Sequence, residues 1–232
     1  VKSWINGLPN IYNLKEIKIE DLLNRGLIKI DIEKNKLLYF EKSILVTGAA
    51  GSIGSEIIRQ VLKFKPARII LLDNSETPMF NIKEELGLIP HNIELLYHID
   101  SVSDKKAVNK IFSLYKIDIV FHAAAYKHVN MMEANPRTSI INNVYGTKLI
   151  IDCSIEYKVH KFVLISSDKA VNPTNVMGAS KRICELYLAS KISDLKNKTK
   201  FITTRFGNVL GSNGSVVPIF EKQILNGGPI TI

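Results

Sequence analysis

The chain is poor in the residues that build disulfide frameworks and metal sites. Its 2 cysteines, Cys153 and Cys184, do not form a C-x-x-C spacing. This usage favours a reduced, intracellular protein with buried thiols over a disulfide-linked one. The 5 histidines show no spacing typical of metal ligands, so we expect no metal site.

Long apolar runs are missing as well. No stretch approaches the roughly 18–20 apolar residues that span a bilayer, and no signal peptide is recognisable. The sequence therefore predicts a soluble, cytoplasmic protein.

Basic residues outnumber acidic ones. The chain has 31 Lys+Arg against 22 Asp+Glu, a net charge of +9 and a pI near 9.4. Such a surface suits an anionic small molecule, a nucleic acid or an acidic membrane face. Because the lysines are scattered, without a dense run or interleaved aromatics, we expect ordinary solvated surface and no nucleic-acid partner.

The chain divides into a short segment and one main domain. Residues 1–41 are charged and lack a glycine-rich turn signal, so we interpret them as a linker packed on the core, with a helix near residues 19–25 and some extended chain. Residues 42–232 form the main domain, and 46% hydrophobic residues suffice for a substantial core there.

Within the main domain, short β-branched runs alternate with helical patterns. The predicted strands are 44–47, 68–73, 93–99, 117–122, 162–166 and 201–205. The predicted helices are 52–64, 77–86, 104–115, 136–157, 177–190 and 219–225. Near-continuous apolar strands that alternate with helices predict an α/β fold, a Rossmann-type doubly wound parallel sheet with helices on both faces.

The first predicted strand runs directly into a glycine-rich loop. Gly48, Gly51 and Gly54 are followed by a helix. This arrangement lets backbone N–H groups approach a pyrophosphate at a helix N-terminus. Asp73 ends the next strand about 25 residues on, where an acid accepts hydrogen bonds from an adenosine ribose and repels a 2′-phosphate. The pattern predicts NAD as cofactor, and the G-x-x-G-x-x-G spacing indicates the short-chain oxidoreductase branch.

Several segments carry a specific resemblance. TGAAGSIGSE, LLDNSE, FHAAAYKHVNMMEANP, NNVYGT, ISSDKAVNPTNVMGASKR and RFGNVLGSNGSVVPIF resemble the extended short-chain dehydrogenase/reductases that dehydrate UDP-N-acetylhexosamines. The likeness is greatest to the membrane-associated UDP-N-acetylglucosamine 4,6-dehydratases of bacterial capsule, O-antigen and glycoprotein-glycan synthesis. It covers nearly the whole chain and is most specific from Lys161 to Lys181.

The resemblance also implies what lies around the chain. Family members continue with much of a sugar-nucleotide lobe, so the C-terminal substrate lobe is expected to be largely absent from this chain. Their transmembrane segments would lie in front of Val1, and any membrane link is expected only there. A homo-oligomer is expected too, with the apolar stripes of helices 136–157 and 177–190 as a dimer face or, equally, as core.

The family pattern assigns a role to each matching position. The implied cofactor-binding residues are Gly48, Ala50, Gly51, Ser52, Ile53, Gly54, Asp73, Ser75, Asp100, Ser101, Ala123, Ala124, Ala125, Asn143 and Lys181. The implied substrate-binding residues are Lys127, His128 and Asn208. The implied catalytic residues are Ser167, Asp168, Lys169 and Lys181, with Met177 at the position of the usual tyrosine.

Met177 is a departure from the wider superfamily. Its thioether has no proton to give or take, so it is either core filling or the mark of a different proton chemistry. Asp168 and Lys169 are either an exposed loop pair or the groups that replace the tyrosine. Their place at the end of a central strand favours the second interpretation, because ligands bind there in doubly wound sheets.

The resemblance implies a three-step dehydration. NAD takes a hydride from C4, Lys169 removes the C5 proton while Asp168 protonates the departing C6 hydroxyl, and the hydride returns to C6. The expected product is a UDP-2-acetamido-2,6-dideoxy-4-hexulose, with retention at C5. The acceptor of the C4 hydroxyl proton stays open between Asp168 and water, and an acid at Asp168 is expected to have a raised pKa.

Two other hypotheses compete with this one. The first is a nucleotide-sugar 4-epimerase or a C5-inverting 4,6-dehydratase, although a tyrosine at position 177 would suit both better. The second is a non-catalytic dinucleotide-binding module that senses redox state or binds nucleic acid. It predicts NAD binding without turnover.

Overall fold

A computed structural model describes residues 4–5, 8–9, 31–192, 198–209 and 216–230, with the side chains of residues 4–5, 8–9, 216–218 and 221–222 excepted. Near the N-terminus, β1 (Trp4–Ile5) pairs antiparallel with β2 (Leu8–Pro9). The predicted helix 19–25 lies outside the described residues.

The main domain is built on a six-stranded parallel sheet. Its strands are β3 (Ser43–Thr47), β4 (Arg68–Asp73), β5 (Glu94–Ile99), β6 (Ile119–His122), β7 (Lys161–Ser167) and β8 (Lys200–Phe206). They lie in the order β5-β4-β3-β6-β7-β8. All six predicted strands are confirmed, with ends shifted by at most two residues.

Nine α-helices accompany the strands in the described part of the chain, and most lie close to the predicted ranges. They are α1 (Ile32–Tyr39), α2 (Ser52–Leu62), α3 (Glu76–Gly87), α4 (Lys105–Leu114), α5 (Val129–Ala134), α6 (Pro136–Ser139), α7 (Gly146–Glu156), α8 (Val176–Ile192) and α9 (Val216–Leu225). Two of them, α1 and α5, were not predicted. Among the helices in the described part of the chain, none is long and apolar enough to cross a membrane.

Helices cover both faces of the sheet because successive strand residues point to opposite sides. Ile44 and Val46 pack with Ile58 of α2 and Ile82 of α3, all at most 4% exposed. On the other face, Leu45, between them in sequence, packs with residues of α4, α7 and α8: Val108, Ile111, Phe112, Ile150, Ile151, Cys153, Cys184 and Leu188. The predicted doubly wound sheet with helices on both faces is confirmed.

The predicted helix 136–157 is interrupted. A π-helical turn, Ile140–Tyr145, separates α6 from α7. Such turns occur frequently at functional sites. Directly after it, a Cβ added at Gly146 would lie 2.7 Å from Cγ2 of Val102, so this end of α7 packs closely on the loop after β5.

The end of the N-terminal segment packs on the main domain. Asp31 caps α1 by accepting a hydrogen bond from the backbone N–H of Lys34 at 3.0 Å. The ring of Tyr39 lies 5.6 Å from Phe64 and 6.2 Å from Phe121. The stretch 32–39 is thus a helix that the sequence did not predict. The domain boundary at residues 41 and 42 stays a prediction.

Candidate active site

The order of the strands fixes where a ligand can bind. The chain proceeds outward from β3 to β4 and β5, then returns to the other side of β3 with β6, β7 and β8. A crevice opens at the carboxyl ends of β3 and β6, where this reversal occurs. Gly48 and Asp168 directly follow β3 and β7, and Asp73 ends β4, so these three predicted residues lie at the same edge of the sheet.

The glycine loop after β3 is shaped for close approach of a ligand to the backbone. Gly48 has φ of 65°, and an added Cβ would lie 2.6 Å from the backbone nitrogen of Ala124. A Cβ at Gly54 would collide with the carbonyl oxygen of Gly48. The helix α2 begins at Ser52 with Gly51 as its N-cap, so the N-terminus of the helix lies at the crevice.

Two cavities flank the glycine loop. The first, of about 290 Å³, is lined by Gly48, Ala50, Gly51, Leu72, Asp73, Asn74, Ser75, Pro78, Asp100, Val102, Ala123, Ala124, Ala125, Tyr126 and Asn142. The second, of about 670 Å³, is lined by Gly48, Gly51, Ser52, Ile53, Gly54, Ala123, Ala125, Tyr126, Lys127, His128, Met131, Met132, Asn135 and Thr138. Most predicted cofactor residues thus line one cavity or both, and Lys127 and His128 line the second.

Asp73 ties the end of β4 to the glycine loop. Its Oδ2 accepts a hydrogen bond from the backbone N–H of Ala50, and its Oδ1 accepts one from Ser75, each at 3.0 Å. Each carboxylate oxygen keeps a further lone pair for a ribose hydroxyl. A carboxylate at the end of β4 fits a dinucleotide whose adenosine ribose has no 2′-phosphate. Ser101, another predicted cofactor residue, does not line either of these two cavities. Its hydroxyl contacts that of Ser103 at 2.8 Å.

Two adjacent asparagines of the π-helical turn have different surroundings. Asn143, predicted to bind the cofactor, is fully buried. Its Oδ1 accepts from the backbone N–H of Tyr126 at 2.8 Å, and its Nδ2 donates to the Tyr126 carbonyl and to Ser180 Oγ, both at 3.0 Å. Asn142, which the sequence reasoning missed, lines the first cavity. Asn143 therefore supports the loop, and its neighbour faces the crevice.

The candidate catalytic residues gather at the end of β7. Asp168 accepts hydrogen bonds at Oδ1 from Ser167 Oγ at 2.9 Å and from Lys169 Nζ at 3.1 Å. The Lys169 ammonium also donates to Asn208 Oδ1, after β8, at 3.2 Å. The side chains of Asp168 and Lys169 are 55% and 34% exposed, so both groups are accessible to a substrate.

The pKa of Asp168 runs against the expectation for an acid. The Ser167 hydroxyl and then the Lys169 ammonium stabilise the carboxylate, and together they lower the pKa of Asp168 below its usual value. The expected raised pKa is wrong for this arrangement. Asp168 is therefore an anion near neutral pH and can take up a proton.

The helix α8 begins against the turn that holds Asp168 and Lys169. Its first turn is capped twice: Asn175 Oδ1 accepts from the Gly178 N–H at 2.8 Å, and Glu133 Oε1 of α5 accepts from the Val176 N–H at 2.6 Å. Met177 is 4% exposed, so its side chain fills the core next to the site.

Lys181 is buried one turn into α8. It is 6% exposed, and its Nζ donates to the carbonyl oxygen of Ile165 at 2.8 Å. Burial lowers the pKa of Lys181, although Cys184 and Glu185 act in the opposite direction. Its predicted contact with the nicotinamide ribose stays a prediction.

Glu185 anchors three elements behind the site, and the sequence reasoning missed it. Its Oε1 accepts from Ser166 Oγ of β7 at 2.7 Å and from Arg205 Nε of β8 at 2.8 Å. Its Oε2 accepts from Arg205 Nη2 at 2.6 Å and from Arg182 at 3.1 Å. Burial acts to raise the pKa of Glu185, but these four bonds outweigh it and lower the pKa to about 2. An acid four residues after Lys181 on one helix was the available signal.

A neutral histidine lies beneath the crevice. His122, at the end of β6, is fully buried between Thr47, at 2.7 Å from its Nδ1, and Thr147, at 2.8 Å from its Nε2. Burial, assisted by the charge of Lys181, lowers the pKa of His122 to about 3. The imidazole therefore links β3, β6 and α7 without carrying charge.

Comparison with known proteins places this site in a family. The chain belongs to the polysaccharide biosynthesis protein family, whose model matches residues 44–232. It is 47% identical, over all of its length, to the capsular polysaccharide biosynthesis protein CapD of Staphylococcus aureus and spans 39% of that protein. It is 38% identical, over 82% of its length, to a UDP-N-acetylglucosamine 4,6-dehydratase (inverting) of Campylobacter jejuni and spans 57% of it. The chain thus covers less than two thirds of these relatives.

Solved structures show the same fold. Pen from Bacillus thuringiensis has a TM-score of 0.75 at 37% identity, with 81% of this chain and 56% of Pen covered. A UDP-glucose 4-epimerase of Thermus thermophilus, solved in complex with NAD, has a TM-score of 0.67 at 25% identity, with 82% and 65% covered. The predicted family resemblance is confirmed.

Proposed function

We propose that the chain is the NAD-binding catalytic part of a hydro-lyase that converts UDP-N-acetylglucosamine to UDP-2-acetamido-2,6-dideoxy-4-hexulose. One observation carries this proposal. An ionisable pair, Asp168 and Lys169, lies at the end of β7 in contact with Asn208, whereas the residue at position 177 has no titratable group. The family and the relatives named as nucleotide-sugar dehydratases support it.

The residues present fit a bound dinucleotide. The glycine loop leaves a cradle that a Cβ at Gly48 would fill, and Asp73 lies at the edge of the first cavity. Gly48, Gly51 and the start of α2 would hold the pyrophosphate, and Asp73 the adenosine ribose. When bound, NAD supplies the hydride acceptor for C4 and the hydride donor for C6.

Asp168 is suited to a proton relay. Because its pKa is lowered, it begins the reaction as a carboxylate. It accepts the proton of the C4 hydroxyl while that carbon is oxidised. The same proton then goes to the C6 hydroxyl, which leaves as water once the C5 proton has been removed. In this proposal Asp168, and not water, accepts the proton of the C4 hydroxyl.

Lys169 acts at C5. The ketone at C4 makes the C5 hydrogen acidic, and Lys169 is the base that removes it. After C6 has been reduced, the ammonium returns a proton to C5. Inversion would need a second proton donor, and the thioether of Met177 has no proton to give. Retention at C5 follows from a single residue that both removes and returns the proton.

The test uses the chain extended by the substrate lobe that the resemblance predicts. It is incubated with UDP-N-acetylglucosamine in D₂O, and the product is analysed by NMR. We expect a 4-keto-6-deoxy sugar with one deuterium at C5 and unchanged C5 configuration. An inverted C5 would overturn retention, and a C4 epimer that keeps its C6 hydroxyl would show an epimerase. Bound NAD without any product would identify a binding module.

Substitutions at the pair test the assignment directly. Asp168→Asn and Lys169→Met should each lower product formation by at least about 100-fold, as expected when general acid–base groups are lost. NAD should remain bound in both. Lys116→Met, at an exposed lysine just before the start of β6 and so at the opposite edge of the sheet from the site, is the matched control with unchanged turnover. Near-normal turnover in either site variant would refute the proton-transfer roles of Asp168 and Lys169.

A further inference from the structure

Two side chains meet across the crevice. Asn74, directly after β4, donates from Nδ2 to the hydroxyl oxygen of Tyr126, in the loop after β6, over 3.3 Å. The strands β4 and β6 are not neighbours, because β3 lies between them. The contact therefore spans the end of β3, where the glycine loop begins with Gly48.

The contact lies on the solvent side of the first cavity. Asn74 and Tyr126 both line that cavity together with Gly48 and Gly51. Asn74 is exposed and Tyr126 is 38% exposed, whereas Leu72, which lines the same cavity, is 1% exposed. A ligand on the glycine loop would thus have the backbone on one side and this hydrogen bond toward solvent.

Both loops that carry the contact are fixed from behind. The backbone N–H and carbonyl of Tyr126 are both bonded to the side chain of the buried Asn143, at 2.8 and 3.0 Å. On the other loop, Asp73 accepts hydrogen bonds from the N–H groups of Ala50 and Ser75. Since both backbones are already ordered, closing the contact costs little conformational entropy beyond that of two side chains.

We propose that Asn74 and Tyr126 form a bridge over the bound dinucleotide and retain it during turnover. The bridge rests on the proposed function, because a dehydratase that takes a hydride in its first step and returns it in its last must keep the reduced cofactor between them. One neutral hydrogen bond of this kind changes a dissociation rate about 2- to 10-fold.

The experiment measures how fast NADH leaves the chain. The protein is loaded with NADH, mixed rapidly with excess NAD, and followed by NADH fluorescence. Tyr126→Phe and Asn74→Ala should each raise the dissociation rate constant about 2- to 10-fold. The double variant should be no faster than the faster single variant, because both changes remove the same bond. Glu76→Gln, an exposed change in the first turn of α3, is the control with an unchanged rate.

Three results would overturn the bridge. They are an unchanged rate constant in Tyr126→Phe, effects that multiply in the double variant, and a faster rate accompanied by a lower midpoint of urea unfolding. Tyr126→Phe retains the ring at a partly exposed position, so the fold should persist. The measurement requires no UDP-sugar, so the two proposals can fail separately. If only the bridge is wrong, the product still forms but the variants release NADH at the wild-type rate. If only the proposed function is wrong, no product forms but the variants still release NADH faster than the wild type.

Discussion

At the scale of single residues, Asn142 and Asn143 separate two kinds of contribution to a site. Asn143 uses both ends of its amide inside the protein, where it holds the loop of Tyr126 and contacts Ser180. Asn142 donates to Asn143 Oδ1 at 3.1 Å and lines the first cavity. One residue orders the wall of the crevice, and the other forms part of its surface.

This difference predicts that alanine at position 143 mainly lowers stability, whereas alanine at position 142 mainly weakens NAD binding. Asn143→Ala leaves two part-buried backbone groups of Tyr126 without their side-chain partners and should lower the free energy of unfolding by about 2–4 kcal/mol, at ~1–2 kcal/mol for each group. Asn142→Ala should change that free energy by less than about 1 kcal/mol but weaken NAD binding severalfold. Urea unfolding and NAD titration measure the two effects. Equal stability losses in both variants would contradict this division.

At the scale of elements, the start of α8 packs closely against the turn that holds Asp168 and Lys169. The turn Asp168–Ala170 is a single 3-10 turn that follows β7. A Cβ at Gly178 would collide with the carbonyl oxygen of Lys169, so a larger residue would push helix and turn apart. The position of Lys181 relative to Asp168 depends on this contact.

Gly178→Ala should therefore impair both fold and function. We expect the free energy of unfolding to fall by about 1–3 kcal/mol, as for overpacked sites, and product formation to fall at least about tenfold. Gly87→Ala is the matched control, because an added Cβ there meets nothing within 4 Å. At that helical position alanine should be neutral or stabilise by up to about 1 kcal/mol. Similar behaviour of the two variants would rule out the close fit.

The same elements show which parts of the fold could be predicted. The six strands could be predicted from local apolar runs such as Arg68–Asp73. In this run, successive side chains enter the two cores on opposite faces of the sheet in turn. The π-helical turn could not be predicted, since its extra residue per turn serves contacts of Asn143 with residues distant in sequence. The short helix α5 escaped prediction because its six residues carry too few apolar repeats to show a period.

Parts of the candidate site were predictable for a related reason. Carboxyl ends of parallel strands meet at one edge, so Gly48, Asp73 and Asp168 could be grouped from their positions after strands. Glu185 and Asn142 were missed, because their roles depend on which face of a helix packs inward, and an acid four residues after Lys181 was the one sequence signal for Glu185. The lowered pKa of Asp168 likewise depends on the conformation of the turn that brings Ser167 and Lys169 to its carboxylate.

At the scale of the whole molecule, Glu185 links the last two strands of the sheet to α8. Ser166 and Arg205, which bind its carboxylate, are partners in the register of β7 and β8. The carboxylate itself is 6% exposed. Protonation would remove the charge that three donors share, so one buried group makes the stability of the domain sensitive to acid.

The sign of this sensitivity follows from the lowered pKa. The pKa of Glu185 falls from 4.5 to about 2 on folding, which corresponds to roughly 3 kcal/mol of stability at neutral pH. That contribution is fully present above pH 4.5 and is lost as the pH falls toward 2.

Glu185→Gln should therefore lower the free energy of urea unfolding by about 3 kcal/mol at pH 7, with a difference that shrinks steadily below pH 4.5. Glu56→Gln, at an exposed carboxylate of α2 paired with Arg59, is the control with a change below about 1 kcal/mol. A difference between wild type and Glu185→Gln that stays constant from pH 7 to pH 3 would show that the charge of Glu185 does not stabilise the fold.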